Sequence, residues 1–122
     1  MTLSNPDWFT VGYRHIWMPY TQMQTSPLPQ AVRSTHDTHI VLDDGRELID
    51  GIASWWSACH GYNHPHIREA VVKQMETVPH VMMAGLSNEP AFRLASRIAQ
   101  LTPGDLNRVF FSESGSVSVE LS

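Results

Sequence analysis

The sequence predicts an α/β or α+β chain, and three observations carry that prediction. Asp43-Asp44-Gly45 lies between two β-rich runs, the strongest short-range signal for a hairpin, because glycine tolerates positive φ. Two stretches of helical apolar spacing follow, each with a proline near its start, where no backbone N–H is needed. Residues 108–112, Arg-Val-Phe-Phe-Ser, then read as a short buried strand that passes through a Ser-Gly turn into another helix.

Taken in order, residues 1 to about 14 read as polar and uneventful. His15-Ile16-Trp17-Met18-Pro19-Tyr20 is an apolar, aromatic knot in which Pro19 forces extended or turn geometry on Met18, as expected of an anchor that docks a terminal arm. Ser26-Pro27-Leu28-Pro29 is a short rigid connector. The hairpin pairs His39–Leu42 with Arg46–Asp50. Its second strand is expected to run on into Trp55 and Trp56 and to break at Gly61. Adjacent indoles on a strand point to opposite faces, so Trp56 is expected in the core and Trp55 towards a cleft.

Gly61 to Pro65 predicts a turn, with Asn63 or His64 as cap and Pro65 at the first helical position. Ile67, Ala70, Val71, Met75 and Val78 follow helical spacing, Glu69 and Lys73 form an i, i+4 pair on the wet side of that helix, and Pro79 ends it. After a methionine-rich loop around Gly85, Ser87 or Asn88 caps a second amphipathic helix carrying Ala91, Leu94, Ala95 and Ile98 on one face. Pro103-Gly104 stops it. The final helix has no terminator before Ser122, so the chain is read as truncated inside an element.

Composition narrows the class. A chain of 122 residues with 42% hydrophobic residues has the size of one domain. A net charge of −4 and eight scattered Lys and Arg argue against nucleic acid or an anionic membrane as the main partner. One cysteine, no span-length apolar run and no signal pattern point to a cytoplasmic protein.

Three constellations carry chemistry. Ser114-Gly115-Ser116 opens a helix, whose first N–H groups and positive dipole end suit an anion such as phosphate; an ordinary serine cap is the plainer explanation. His60, His64 and His66 lie within seven residues, but Gly61 and Pro65 break any helix through them and no carboxylate or cysteine cluster completes a metal sphere. Histidines used in turn hydrogen bonds are therefore expected, and no metal. Tyr20, Trp55, Trp56 and Tyr62 are either an aromatic box around an apolar ligand or core.

Read together, His15-Ile-Trp-Met-Pro-Tyr20, Asp43-Asp-Gly45, Asp50-Gly-Ile-Ala-Ser-Trp-Trp56, His60-Gly-Tyr-Asn-His-Pro65 and Ser114-Gly-Ser-Val117 resemble the class-III (ω) aminotransferases. The His-Ile-Trp…Pro-Tyr opening and the Ser-Trp-Trp run are similar to the biotin-pathway branch of that family. Met18, where histidine is common, and the loop 83–88 depart from its pattern. The resemblance implies an α/β fold, the N-terminal portion of a fold-type I aminotransferase that uses pyridoxal 5′-phosphate (PLP), covering roughly its first third. It implies residues 1–65 as arm and hairpin segment of the small domain, and 66–122 as the start of the large, cofactor-binding domain.

By the same resemblance Trp55 and Tyr20 contact substrate, Gly115 and Ser116 hold the cofactor's phosphate, and Trp56 has no assigned role. The implied reaction is amino transfer from S-adenosylmethionine to 8-amino-7-oxononanoate, giving 7,8-diaminononanoate, in a homodimer. Its Schiff-base lysine, pyridine-pairing aspartate and carboxylate-binding arginine have no counterpart in this chain. Lys73 is the only lysine and sits on a wet face, so no catalytic residue is expected here and the chain alone is expected to be inactive. Two rivals stand beside this reading: a relative with another amino donor, and a non-catalytic binding module or broken-gene product.

Overall fold

The computed structural model describes residues 5–122. The first four residues of the polar opening lie outside those described. The chain divides into two compact units, one running to Val72 and the other from Lys73 to Ser122.

The first unit opens with structure where the sequence reads as plain polar chain. Helix α1 (Asp7–Gly12) starts on the Pro6 carbonyl, which accepts from the Phe9 and Thr10 N–H groups at 3.0 and 3.2 Å. A 3-10 turn (Tyr13–His15) continues it. Phe9 is buried, stacked on Tyr13 with ring centroids 5.8 Å apart and edge-on to Trp8. Ile16 and Met18 line an apolar cavity of about 360 Å³ beside Phe9, as an anchor should, while Trp17 is exposed.

A three-stranded antiparallel sheet follows in the order β1 (Val32–His36), β2 (His39–Leu42), β3 (Glu47–Ile49). The β2–β3 hairpin is the one that the Asp-Asp-Gly signal predicts. Leu42 N–H donates to the Arg46 carbonyl at 2.8 Å, and Gly45 takes φ +87° at the third loop position. Asp44 locks the loop by accepting from the Arg46 backbone N–H (3.0 Å) and guanidinium (2.7 Å), which holds its carboxyl below the usual range. Strand β1 is an addition: Val-Arg-Ser-Thr-His is too polar to read as a strand. Its bulge at Arg33 lets that side chain reach the Asp43 carbonyl at 2.6 Å. Leu42, 2% exposed, and Ala31 are the other buried apolar residues of this unit.

The second strand of the hairpin stops at Ile49 and does not run into the tryptophans. Residues Ala53–Trp56 form α2, a single helical turn in which all four residues have positive φ, 48°, 45°, 56° and 67°. Helix α3 (Pro65–Thr77) begins at Pro65, as the proline rule requires, and spans the boundary of the units. Asn63 does not cap it: φ is 55°, and its side-chain amide donates to the Thr35 carbonyl at 2.7 Å.

In the second unit, α4 (Glu89–Leu101) is capped by Asn88, whose Oδ1 accepts from the Ala91 N–H at 3.0 Å. The i, i+4 ion pair that forms among the described residues is Glu89–Arg93 at 3.1 Å in α4, and not Glu69–Lys73. Residues 108–112 form no strand, and Phe110 is 80% exposed. A strand exists only with a partner to complete its ladder, and none of the three described strands pairs with this segment. Helix α5 (Gly115–Leu121) is the last element. No helix among the described residues is long and apolar enough to cross a membrane.

Candidate active site

The stretch from Asp50 to Tyr62 folds back on the sheet because two of its backbone N–H groups find partners on the β1–β2 turn. Asp50 N–H donates to the Thr38 carbonyl at 2.8 Å, and Tyr62 N–H to the Asp37 carbonyl at 2.6 Å. Gly61 makes this approach possible. It has φ +78°, and a Cβ there would lie 2.8 Å from the Asp37 carbonyl oxygen.

Brought together this way, Asp50, Ser54 and Tyr62 make a closed hydrogen-bonded cluster. Asp50 Oδ2 accepts from the Tyr62 hydroxyl at 2.5 Å and from the Ser54 hydroxyl at 2.9 Å, and the two hydroxyls also meet each other. Asp50 Oδ1 accepts from the Ile52 N–H at 3.3 Å. The Tyr62 bond, helped by Ser54 and Ile52, lowers the Asp50 pKa despite some desolvation. The same bond raises the pKa of Tyr62, since the phenol is worth more to the carboxylate protonated.

The cluster surrounds α2. Left-handed conformation costs an L-residue about 1–2 kcal/mol, so four in succession persist only where neighbouring bonds outweigh the strain. The tryptophan pair is therefore placed by helical, not strand, geometry, which overturns the expected division of the two indoles. Trp56 is 83% exposed and not in the core. Trp55 is 59% exposed, and its ring stands edge-to-face on Tyr20, with centroids 5.3 Å apart and planes at 73°. Tyr20 itself has φ 52°. Of the four-membered aromatic box, the structure pairs Tyr20 with Trp55, gives Tyr62 to Asp50, and leaves Trp56 in solvent.

His60, His64 and His66 are all exposed. The turn bonds expected of their rings do not form among the described residues; Asn63 and the Gly61 N–H to Ala58 carbonyl bond (2.8 Å) close that turn instead. The engaged histidines lie in the sheet: His39 Nδ1 is 3.3 Å from the Thr38 hydroxyl, and the more closely held one is His36, which sequence reasoning passes over. Its ring lies 2.8 Å from Glu47 across the sheet and stacks on His39, and bonding to Glu47 first and Asp37 second raises its pKa.

In the second unit, Ser114 caps α5 by accepting from the Val117 N–H at 3.2 Å. The N–H groups of Gly115 and Ser116 have no acceptor within the helix, both residues are exposed, and a Cβ on Gly115 would meet nothing within 4 Å. The residues present therefore fit a phosphate, with two backbone donors and a free approach. Gly115 is not needed here for conformation, since its φ is an ordinary helical one. Lys73 is exposed on α3 and is no buried amine.

Known proteins bear on this geometry. A relative from Synechococcus elongatus, named adenosylmethionine-8-amino-7-oxononanoate aminotransferase, is 46% identical over 110 residues, covering 90% of this chain and 26% of the relative. The solved structure of the enzyme of that name from Methanocaldococcus jannaschii matches 93% of this chain and 26% of its own, with TM-score 0.83 and 28% identity. An ω-transaminase from Pseudomonas jessenii, solved in complex with PMP, shares the fold with TM-score 0.82 at 23% identity, over 92% of this chain and 25% of its own. The chain thus spans about a quarter of the length of the curated relatives it matches, somewhat less than the third expected. The family model for Aminotransferase class-III matches residues 20–122. That match takes in the Tyr20–Trp55 pair, the Asp50 cluster and the α5 turn alike, and by it the chain belongs to the class-III aminotransferases.

Proposed function

We propose that this chain is the N-terminal part of an aminotransferase that moves the amino group of S-adenosylmethionine to 8-amino-7-oxononanoate, yielding 7,8-diaminononanoate for biotin synthesis. The observation that carries the reading is the Tyr20–Trp55 contact. Two aromatic residues far apart in sequence form one exposed, edge-to-face wall, suited to an apolar or flat substrate. The names of the relatives supply the substrate pair.

Class-III aminotransferases depend on PLP, which when bound carries the amino group and acts as electron sink. In this chain the Gly115 and Ser116 N–H groups, with the Ser116 hydroxyl, would hold its phosphate at the start of α5. Charge-assisted bonds to a dianion in that position are among the stronger hydrogen bonds available to a backbone. Tyr20 and Trp55 orient the substrate and keep water from one side of it. The lysine and the substrate-carboxylate arginine come from other parts of the full-length protein, so the chain alone transfers no amino group. Residues 1–65 belong in this reading to the small domain and 66–122 to the large one, and the enzyme works as a cytoplasmic homodimer.

The test is donor choice. The full-length enzyme is given 8-amino-7-oxononanoate with S-adenosylmethionine or with amino acids, and 7,8-diaminononanoate is followed by mass. Product with S-adenosylmethionine is expected. Transfer from an amino acid and none from S-adenosylmethionine would make the chain a relative with another donor.

A further inference from the structure

The left-handed turn α2 is the most improbable backbone among the described residues, and nothing in its composition asks for it. Ala53, Ser54, Trp55 and Trp56 all carry a Cβ, and none is a residue that visits this region readily. The turn has bonds of its own, Trp56 N–H to the Ile52 carbonyl at 3.1 Å and the Ser57 hydroxyl to the Ser54 carbonyl at 2.7 Å, and further bonds reach it from outside. Asp50 and Tyr62 flank the turn on either side in sequence, and each is tied by its own N–H to one of two adjacent residues, Thr38 and Asp37, of a single sheet turn. From those fixed points their side chains close on Ser54, the second residue of α2. What emerges from the held turn is the Trp55 indole, set edge-on against Tyr20.

We propose that Asp50 and Tyr62 are positioning residues for the substrate. Their hydrogen bonds to each other and to Ser54 keep α2 left-handed, and α2 so held stands Trp55 against Tyr20 as one pocket wall. This rests on the reading that Tyr20 and Trp55 contact substrate. Relaxation of α2 to right-handed backbone would rotate residue 55 about the chain and dismantle the wall, while the sheet and the cofactor turn in the other unit would keep their own bonds. The loss should therefore fall on substrate affinity and not on cofactor content.

The experiment compares Asp50→Ala, Asp50→Asn, Tyr62→Phe and Trp55→Ala in the full-length holoenzyme, measuring kcat, KM for each substrate and bound PLP. Asp50→Ala is expected to raise the KM of at least one substrate about tenfold or more, the equivalent of ~1.4 kcal/mol, with PLP content unchanged. Asp50→Asn should restore most of that, because its amide oxygen still accepts from both hydroxyls. Tyr62→Phe should fall between, and it carries the test if Asp50→Ala does not fold. In a Trp55→Ala background, Asp50→Ala should add little, since both changes remove the same wall.

A folded Asp50→Ala enzyme with parental KM overturns the proposal, as does a loss of the same size with and without Trp55. A separate readout divides this from failure of the substrate reading. The near-ultraviolet dichroism due to Trp55, taken as parent minus Trp55→Phe, should collapse in Asp50→Ala. Collapse of that signal while Trp55→Ala leaves KM at the parental value would overturn the substrate role and support the clamp.

Discussion

At the scale of single residues, glycines divide by what surrounds them. Gly45 and Gly61 both have positive φ, but a Cβ at Gly45 would meet nothing within 4 Å, whereas at Gly61 it would press on the Asp37 carbonyl. Gly45→Ala should therefore lose only the conformational part, about 1 kcal/mol, in a denaturant titration of the full-length enzyme. Gly61→Ala should lose about 2–3 kcal/mol, because a backbone atom cannot give way as a side chain can. Equal losses would mean that the approach of Tyr62 to Asp37 is not tight. The glycine of Asp-Asp-Gly is legible as a turn residue, and Pro65 as a helix start. That Gly61 is there for a close approach is not legible, because the atom it avoids is 24 residues earlier in the chain. The Asp50–Tyr62 bond escapes sequence reading for the same reason. Tyr20 and Trp55, named from family motifs, do come together.

At the scale of elements, what the sequence shows is what local physics decides. β-rich runs around a turn gave β2 and β3, proline placement and apolar spacing gave α3, and caps gave α4 and the start of α5. Two errors share one cause. Ser-Trp-Trp and Val-Phe-Phe have the aromatic content of strands, but a strand also needs a neighbour. Trp55 and Trp56 lie in α2, where Ser54 bonds to Asp50, and residues 108–112 find no ladder. Helix α5 offers a clean test of its own. Because Gly115 has helical φ and empty space around it, Gly115→Val should leave the melting temperature of the apoenzyme nearly unchanged. It should weaken PLP binding about tenfold or more by filling the approach to the backbone donors, since one charge-assisted bond exceeds ~1.4 kcal/mol. Absorbance of bound PLP during titration of the apoenzyme reads this directly. Parental affinity in the variant would put the phosphate elsewhere and leave Ser114 as a simple cap.

At the scale of the whole chain, surface decides behaviour. Many large apolar side chains stand exposed among the described residues. Both units contribute: Ile49, Trp56 and Ile52 in the first, Leu101, Phe110 and Val119 in the second are all well exposed. Apolar surface on this scale seeks cover, so the 122-residue chain on its own should self-associate, seen as a broad or concentration-dependent distribution in sedimentation velocity. A single monomeric species that unfolds in one cooperative transition would contradict this. The sheet has a different prospect. Its strands pair only with their neighbours in sequence, and Asp37 meets Tyr62 across one modest loop. Hairpins close in microseconds, whereas a ribosome adds roughly 5–20 residues per second. The scaffold of the tryptophan wall can thus assemble as Tyr62 leaves the ribosome, before α3 has fully emerged, so the order of synthesis itself favours the strained turn being clamped early.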